Sequence, residues 1–243
     1  MMDINSDMGE GFGVWEMGND FELLDYITST NIACGWHAGD PARMRDLVEM
    51  AIRKNVHVGA HPGLPDLLGF GRREIAISES DAYNYVLYQA GALQAFAHAY
   101  GGTLHHIKPH GALYNQAAKD LKLARGIARA TKALGKDVIL YGLAGSCLVQ
   151  AAQELGVPVW QEVFADRRYT KEGFLVARTH PEALIHDEGQ ALEHVLGMAN
   201  NQEIKSIEGI TVKIQADTLC VHGDNPHAIA FAKKIKRLLS TSC

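Results

Sequence analysis

Leu104-His105-His106-Ile107-Lys108-Pro109-His110-Gly111-Ala112-Leu113-Tyr114-Asn115 reads as a short strand that stops at Pro109 and turns at Gly111 into a helix. A regular strand alternates its side chains between two faces. His106, Lys108 and His110 then share one face, while His105 and Ile107 take the other. Three basic, titratable groups on one face at a strand's end are costly to bury without partners. Lysine in particular is almost never fully buried unless paired. The bland alternative is a solvated edge carrying a few histidines and a lysine. The polar set falls where a strand becomes a loop, and that favours a functional site.

The same strand-to-helix grammar recurs along the chain. Candidate strands are Met2–Ser6, Asn31–Cys34, Val56–Ala60, Leu104–Lys108, Asp137–Tyr141, Val157–Val163 and Thr218–His222. Helical patterns between them include Pro41–Lys54, Ser80–Tyr100, Leu121–Leu134, Ser146–Leu155 and Pro226–Leu239. Asp40-Pro41 offers an N-cap followed by proline at the first helical position, and Ser78 and Asp81 offer caps for the longest helix. Repeated strand–helix units imply an α/β fold with a parallel sheet, closed as a barrel or open and doubly wound. An open nucleotide-binding sheet concentrates its signature in one early glycine-rich turn. Here polar residues stand at the C-terminal end of nearly every strand: Asn5 and Asp7, His37, His61, Lys108 and His110, Glu162 and Asp166, His222 and Asp224. Groups supplied by many strand ends are what a barrel's upper face provides. The expectation is a single-domain, imperfect, about seven-stranded parallel β/α barrel over residues 1–243.

Composition narrows the function classes. The 243 residues suffice for a sizeable core, and 47% hydrophobic with 21% charged residues is ordinary for a soluble enzyme. A net charge of −5 argues against nucleic acid as a partner. Cys34, Cys147, Cys220 and Cys243 are far apart with no C-x-x-C spacing, which suggests reduced thiols in the cytoplasm. No signal peptide and no run long enough to span a membrane is visible. Lys233-Lys234-Ile235-Lys236-Arg237 reads as the solvated face of a helix.

Asp3, Asn5 and Asp7 alternate with Met2, Ile4 and Ser6, so the polar set faces a barrel interior with Asp7 highest. Asp3 suits a structural network at the floor; Asp7 suits function. Gly9-Glu10-Gly11-Phe12-Gly13 lacks the spacing of a dinucleotide loop, and no Walker sequence occurs. Gly142-Leu143-Ala144-Gly145-Ser146 follows a strand and opens a helix, so its amides could hold an anion. His57 and His61 have H-x-x-x-H spacing, but on a strand four residues span roughly 13 Å, too far for one ion. A mononuclear divalent-metal site from Asp7, His61 and His110 remains geometrically open. Glu162 through Tyr169 is dense in charge, and Arg72 and Arg167 are natural clamps for a carboxylate.

In order, Asn5-x-Asp7-x-Gly9-Glu10-Gly11, Asn31-Ile-Ala-Cys-Gly-Trp-His37-Ala-Gly-Asp40, Gly59-Ala-His61-Pro62, Phe70-Gly-Arg72, His106-Ile-Lys108-Pro-His110-Gly-Ala-Leu-Tyr114-Asn115, Val163-Phe-Ala-Asp166-Arg167-x-Tyr169 and Cys220-Val-His222-Gly-Asp224 resemble the LamB/YcsF lactam-utilisation family. The resemblance covers essentially the whole chain, with Trp36 where the family pattern has another aromatic. It implies a barrel related to glycoside hydrolases and deacetylases. It also implies hydrolysis of 5-oxo-L-proline to L-glutamate, driven by ATP with Mg²⁺ and carried out with separate B and C subunits; a homo-oligomer is compatible with it. On chemical grounds Asp7 is the expected base, His110 a proton shuttle with His61 nearby, and Lys108 a partner for developing negative charge, with Asp166 a further catalytic candidate. Arg72 or Arg167 would anchor the substrate carboxylate, and Asn5, Asn31, His37, Tyr114, Glu162 and His222 would position substrate. The competing expectations are a metal-dependent deacetylase or amidohydrolase acting on a carbohydrate or cyclic amide, and a non-catalytic lactam-binding subunit.

Overall fold

A computed structural model describes residues 2–15, 17–177, 179–201, 203–221 and 228–241. Its centre is a closed barrel of parallel strands in the order β1 (Asp3–Met8), β2 (Ser29–Ala33), β3 (His57–His61), β4 (His106–Ile107), β5 (Ile139–Leu143), β6 (Val159–Phe164) and β9 (Thr218–Cys220). β9 pairs with both β6 and β1 and so closes the ring. The expected seven-stranded barrel is the observed architecture. A separate antiparallel hairpin, β7 (Glu203–Lys205) with β8 (Thr211–Lys213), lies between β6 and β9 in sequence.

Helices α1 (Asp20–Leu23), α2 (Pro41–Arg53), α3 (Glu79–Ala99), α4 (Gly111–Ala117), α5 (Leu121–Leu134), α6 (Cys147–Leu155), α7 (Glu188–Leu196) and α8 (Ala228–Thr241) accompany the strands. The caps fall where the sequence places them. Asp40 accepts the amides of Ala42 and Arg43 ahead of Pro41, and Ser78 and Asp81 form a reciprocal capping box. In α8, Ile235 is fully buried while Lys233, Lys234 and Arg237 are exposed.

Strand alternation divides the sheet into two faces. Ile4, Ile32, Val58, Ile107, Leu140, Val163 and Leu219 are almost completely buried in the hydrophobic core, with α3 packed on α5 and α5 on α6. Each such side chain contributes about 1.5–3 kcal/mol relative to exposure. Residues of the opposite parity, among them Asp3, Asn5, Asn31, His106, Lys108 and Glu162, are polar, buried and bonded to one another across strands. One interior position carries no side chain: Gly59 is paired with His106, and a Cβ there would collide with the imidazole. That absence is what lets the ring lie across the interior.

Every barrel strand shifts at one or both ends from the sequence reading, and three of the shifts have a clear cause. β1 runs on to Met8, two residues past Ser6, because its ladder with β2 continues through Asp7↔Asn31 and Met8↔Ile32. β2 occupies Ser29–Ala33 rather than Asn31–Cys34, the start being fixed by pairing of Ser29 with Asn5. β4 shrinks to two residues, since Pro109 has no amide to continue the ladder. Its neighbours still bond: His105 N–H donates to the Val58 carbonyl and Lys108 N–H to that of Ala60. The elements between 166 and 217 escaped periodicity because the strands there are three residues long and the helix is only nine.

Candidate functional site

The barrel interior is polar from floor to mouth. At the floor, the Asp3 carboxylate accepts hydrogen bonds from the hydroxyls of Thr28, Ser29 (2.7 Å), Tyr141 (3.2 Å) and Thr218 (2.5 Å). One layer higher, Asn5 donates to the Thr218 hydroxyl at 2.7 Å, Asn31 donates to the Asn5 side-chain oxygen at 2.7 Å, and His106 Nε2 bonds the Asn31 oxygen at 2.7 Å. The His106 ring stacks on Tyr141 with centroids 4.0 Å apart. Burial together with the charges of His105, His57 and Lys108 holds His106 well below its ordinary pKa, so it is neutral.

Above this layer sits a charged one. Lys108 Nζ lies 2.8 Å from Asp7 Oδ1 and 2.8 Å from Glu162 Oε1. Burial opposes the ammonium charge, but Asp7, Cys220 and Glu162 outweigh it and hold the Lys108 pKa well above its ordinary value. Tyr114 donates to Glu162 Oε2 at 2.7 Å; burial and the Glu162 charge keep its phenol protonated. Asn31 donates to Asp7 at 2.8 Å. The two carboxylates on one ammonium give the triad a surplus negative charge when all are ionised, with Asp7 its more exposed member at 17%.

Beside Asp7 is a cluster of Glu10, His37, His61 and His110, whose ligand-capable atoms lie within 4.8 Å of one another. His61 comes from the end of β3, His110 from the N-cap of α4, and Glu10 and His37 from the loops after β1 and β2. His61 Nε2 is 3.0 Å from His110 Nδ1 and 3.4 Å from Asp7 Oδ2. Glu10 Oε1 is 3.2 Å from His110 Nδ1 and 3.2 Å from His37 Nε2. Burial pushes the Glu10 carboxyl up, but its contacts with His110 and His37 and the charge of His61 hold it well below the usual range. Burial drives His37 down to about 3 against its bond to Glu10, and His110 moves in the same direction for the same reason. A cavity of about 490 Å³, within the range of small-molecule sites, opens over Asp7, Glu10, His61, Lys108, His110 and Tyr114.

The family model of the LamB/YcsF family matches residues 2–243. The chain belongs to the LamB/YcsF family. It is 51% identical to the A subunit of 5-oxoprolinase from Brevibacillus brevis over 239 residues, covering 98% of this chain and 94% of that protein. It is 52% identical to the A subunit of 5-oxoprolinase from Bordetella pertussis over 238 residues, covering 98% and 94% respectively. Among solved structures, the lactam utilization protein of Thermus thermophilus superposes with a TM-score of 0.93 at 41% identity, over 99% of this chain and 96% of that one.

Within this LamB/YcsF barrel the sequence candidates fall into four groups. Asp7, His61, Lys108, His110 and Tyr114 line the cavity, and Arg72 and Arg167 stand at its wall. Arg72 lies over the Phe70 ring, 5.0 Å from its centroid, and the buried Arg167 donates to the Val176 carbonyl at 2.8 Å. Asn5, Asn31, His37 and Glu162 are buried beneath or behind that lining and touch it through hydrogen bonds. Asp166 does not line the cavity, although Phe164 and Arg167 on either side of it do, and its charge acts on His194. His222 and Asp224 lie outside the described residues. Glu10 was not among the sequence candidates, since it sits in a glycine loop with no periodicity; its spacing three residues past Asp7 was the available signal. Lys119, also on the cavity wall, carried none.

The 142–146 turn is not an open anion cradle. The amide of Ala144 bonds the Glu162 carbonyl, that of Gly145 the Gln161 side chain, that of Ser146 the Leu143 carbonyl and that of Cys147 the Ala118 carbonyl. In the 9–13 loop, Gly9 and Gly13 give their amides to the carboxylates of Asp20 and Asp40. No helix among the described residues is long and apolar enough to cross a membrane.

Proposed function

We propose that this chain is the A subunit of an ATP-dependent 5-oxoprolinase and that its barrel cavity receives 5-oxo-L-proline. The observation that carries the reading is its likeness along the whole length to proteins bearing that name. The ring of 5-oxoproline is a resonance-stabilised amide that water attacks slowly. Transfer of the ATP γ-phosphoryl group to the amide oxygen turns that oxygen into a leaving group. Water then adds to the ring carbon, the carbon–nitrogen bond breaks as the nitrogen takes a proton, and a second water cleaves the resulting acyl phosphate to glutamate and phosphate.

Asp7 takes the proton from water, being the more exposed carboxylate of the Lys108 triad and held in place by Lys108 and Asn31. Lys108 is already shared by two carboxylates, so its part is to keep Asp7 ionised and aimed. His61 and His110, adjacent to Asp7, line the cavity on the side where that proton is released. Arg72 and Arg167 hold the substrate carboxylate. The engaged amides of both glycine-rich turns support placing ATP and its Mg²⁺ on the partner B and C subunits. The free thiols of Cys34, Cys147 and Cys220 accord with work in the cytoplasm.

Glutamate release from 5-oxoproline, with ATP and Mg²⁺, tests the reading using the chain alone and with its partners. Release only when partners and ATP are all present is expected. Release from the chain alone without ATP, abolished by a chelator, would overturn it and establish a metal-dependent amidohydrolase, the reading that the Glu10 and histidine cluster favours second.

A further inference from the structure

Three lone pairs converge on one point beside Asp7. His61 Nδ1 is 2.7 Å from the Lys108 carbonyl oxygen, and His110 Nε2 is 2.8 Å from the Phe70 carbonyl oxygen. A carbonyl oxygen only accepts, so each of those nitrogens carries the hydrogen. In the neutral rings, His61 Nε2 and His110 Nδ1 are then bare acceptors, and they face each other at 3.0 Å. Glu10 Oε1, a third acceptor, lies 3.2 Å from one and 3.8 Å from the other. Such an arrangement holds together only around a cation. A tetrahedral ion with bonds of about 2.0–2.1 Å sets its ligand atoms about 3.3–3.4 Å apart, and the three separations bracket that value.

We propose that Glu10, His61 and His110 hold a divalent transition-metal ion of the zinc class, with the remaining coordination position facing the cavity. His37 belongs to the cluster but not to the ligand set. Its ring stacks on His110 with centroids 3.7 Å apart and planes within 3°, whereas an ion lies in the plane of each imidazole that binds it. One ion cannot occupy two parallel planes separated by a stacking distance. His37 Nε2 instead donates to Glu10 at 3.2 Å and fixes the carboxylate. The cavity lining agrees, since Glu10, His61 and His110 contribute to it and His37 does not. Both ligand histidines already give their second nitrogen to a backbone carbonyl, the outer support that metal-bound imidazoles use. Two histidines and one carboxylate with an open position form a site of the catalytic type, able to act as a Lewis acid on a carbonyl or on water. The proposal is independent of the lactam reading, because it concerns the ion alone.

The test is titration of the untagged, chelator-treated chain with Co²⁺ and with Zn²⁺, without substrate or partners. Uptake of about one equivalent, with the visible absorption of four- or five-coordinate cobalt and its displacement by zinc, is expected. Glu10→Gln and His61→Ala should abolish the cobalt spectrum. His37→Gln should keep the spectrum and the stoichiometry while weakening affinity by about 10–100-fold. A wild-type chain, shown folded by circular dichroism, that takes up neither ion would overturn the proposal and leave a shared proton between His61 and His110. A His37→Gln protein that loses the spectrum as completely as His61→Ala would overturn the ligand assignment.

Discussion

The barrel floor and its upper face are built on the same strands, two to four residues apart, and both bury charge. At the floor, Asp3 is surrounded by hydroxyls, each a donor, and the group is closed. At the upper face, acceptors outnumber donors. Two carboxylates share Lys108, and two imidazole nitrogens and Glu10 face one another. Buried polarity therefore does not mark function by itself. The balance of donors and acceptors does, because a closed network needs nothing further, while a surplus of negative charge and lone pairs calls for a cation or a reacting proton.

The largest effect that would break or sharpen this contrast is on turnover. Asp7→Asn should lower glutamate release about 10²–10⁴-fold while substrate association is largely kept. Equal losses in both would give the chain a binding role instead. Next comes Lys108→Met, which leaves Asp7 and the fully buried Glu162 facing each other without a cation. A loss of about 3–5 kcal/mol in a urea titration is expected. Gly59→Ala drives a methyl into the His106 ring and should cost about 1–3 kcal/mol, partly recovered when His106→Ser is added. Tyr141→Phe removes one donor to Asp3 and should cost about 1 kcal/mol with activity per folded molecule unchanged. An activity loss there would blur the distinction between floor and upper face.

The smallest effect concerns pH. His105 stacks on His57 with centroids 4.0 Å apart, and burial followed by the His57 charge lowers its pKa from 6.5 to about 4. The unfolded chain thus takes up the proton first as pH falls, so this contribution to stability is present above 6.5 and is lost between there and about 4. His105→Gln should reduce the drop in melting temperature across that window. His194, also lowered to about 4, should preserve part of the slope.

Much of this was legible in order along the chain. Alternation assigned Asp3, Asn5 and Asp7 to one face and separated His106 and Lys108 from Ile107, because side-chain parity on a strand is a local property. The strand ends announced a barrel's upper face, and the distance argument parted His57, exposed at the start of β3, from the buried His61 at its end. Glu10 and His37 were harder. Both lie in loops, where no period links position to direction, and their meeting depends on how two βα connections fold over the mouth. Asp166 stands off the cavity lining for a related reason: a carboxylate just past a strand has no fixed direction once the strand ends.

The sequence by itself determined the strand and helix grammar, the caps at Asp40 and Ser78, the parity of the interior, and through its motifs the family. Only the tertiary structure decided which acidic group meets which base. Lys108 is drawn to Asp7 across 101 residues and lies against Glu162 from another strand, and Glu10 reaches His110 across the mouth. Local sequence sets backbone direction over a few residues, whereas these pairings exist because closing the ring forces the strand ends into one small volume where each buried charge must find a partner.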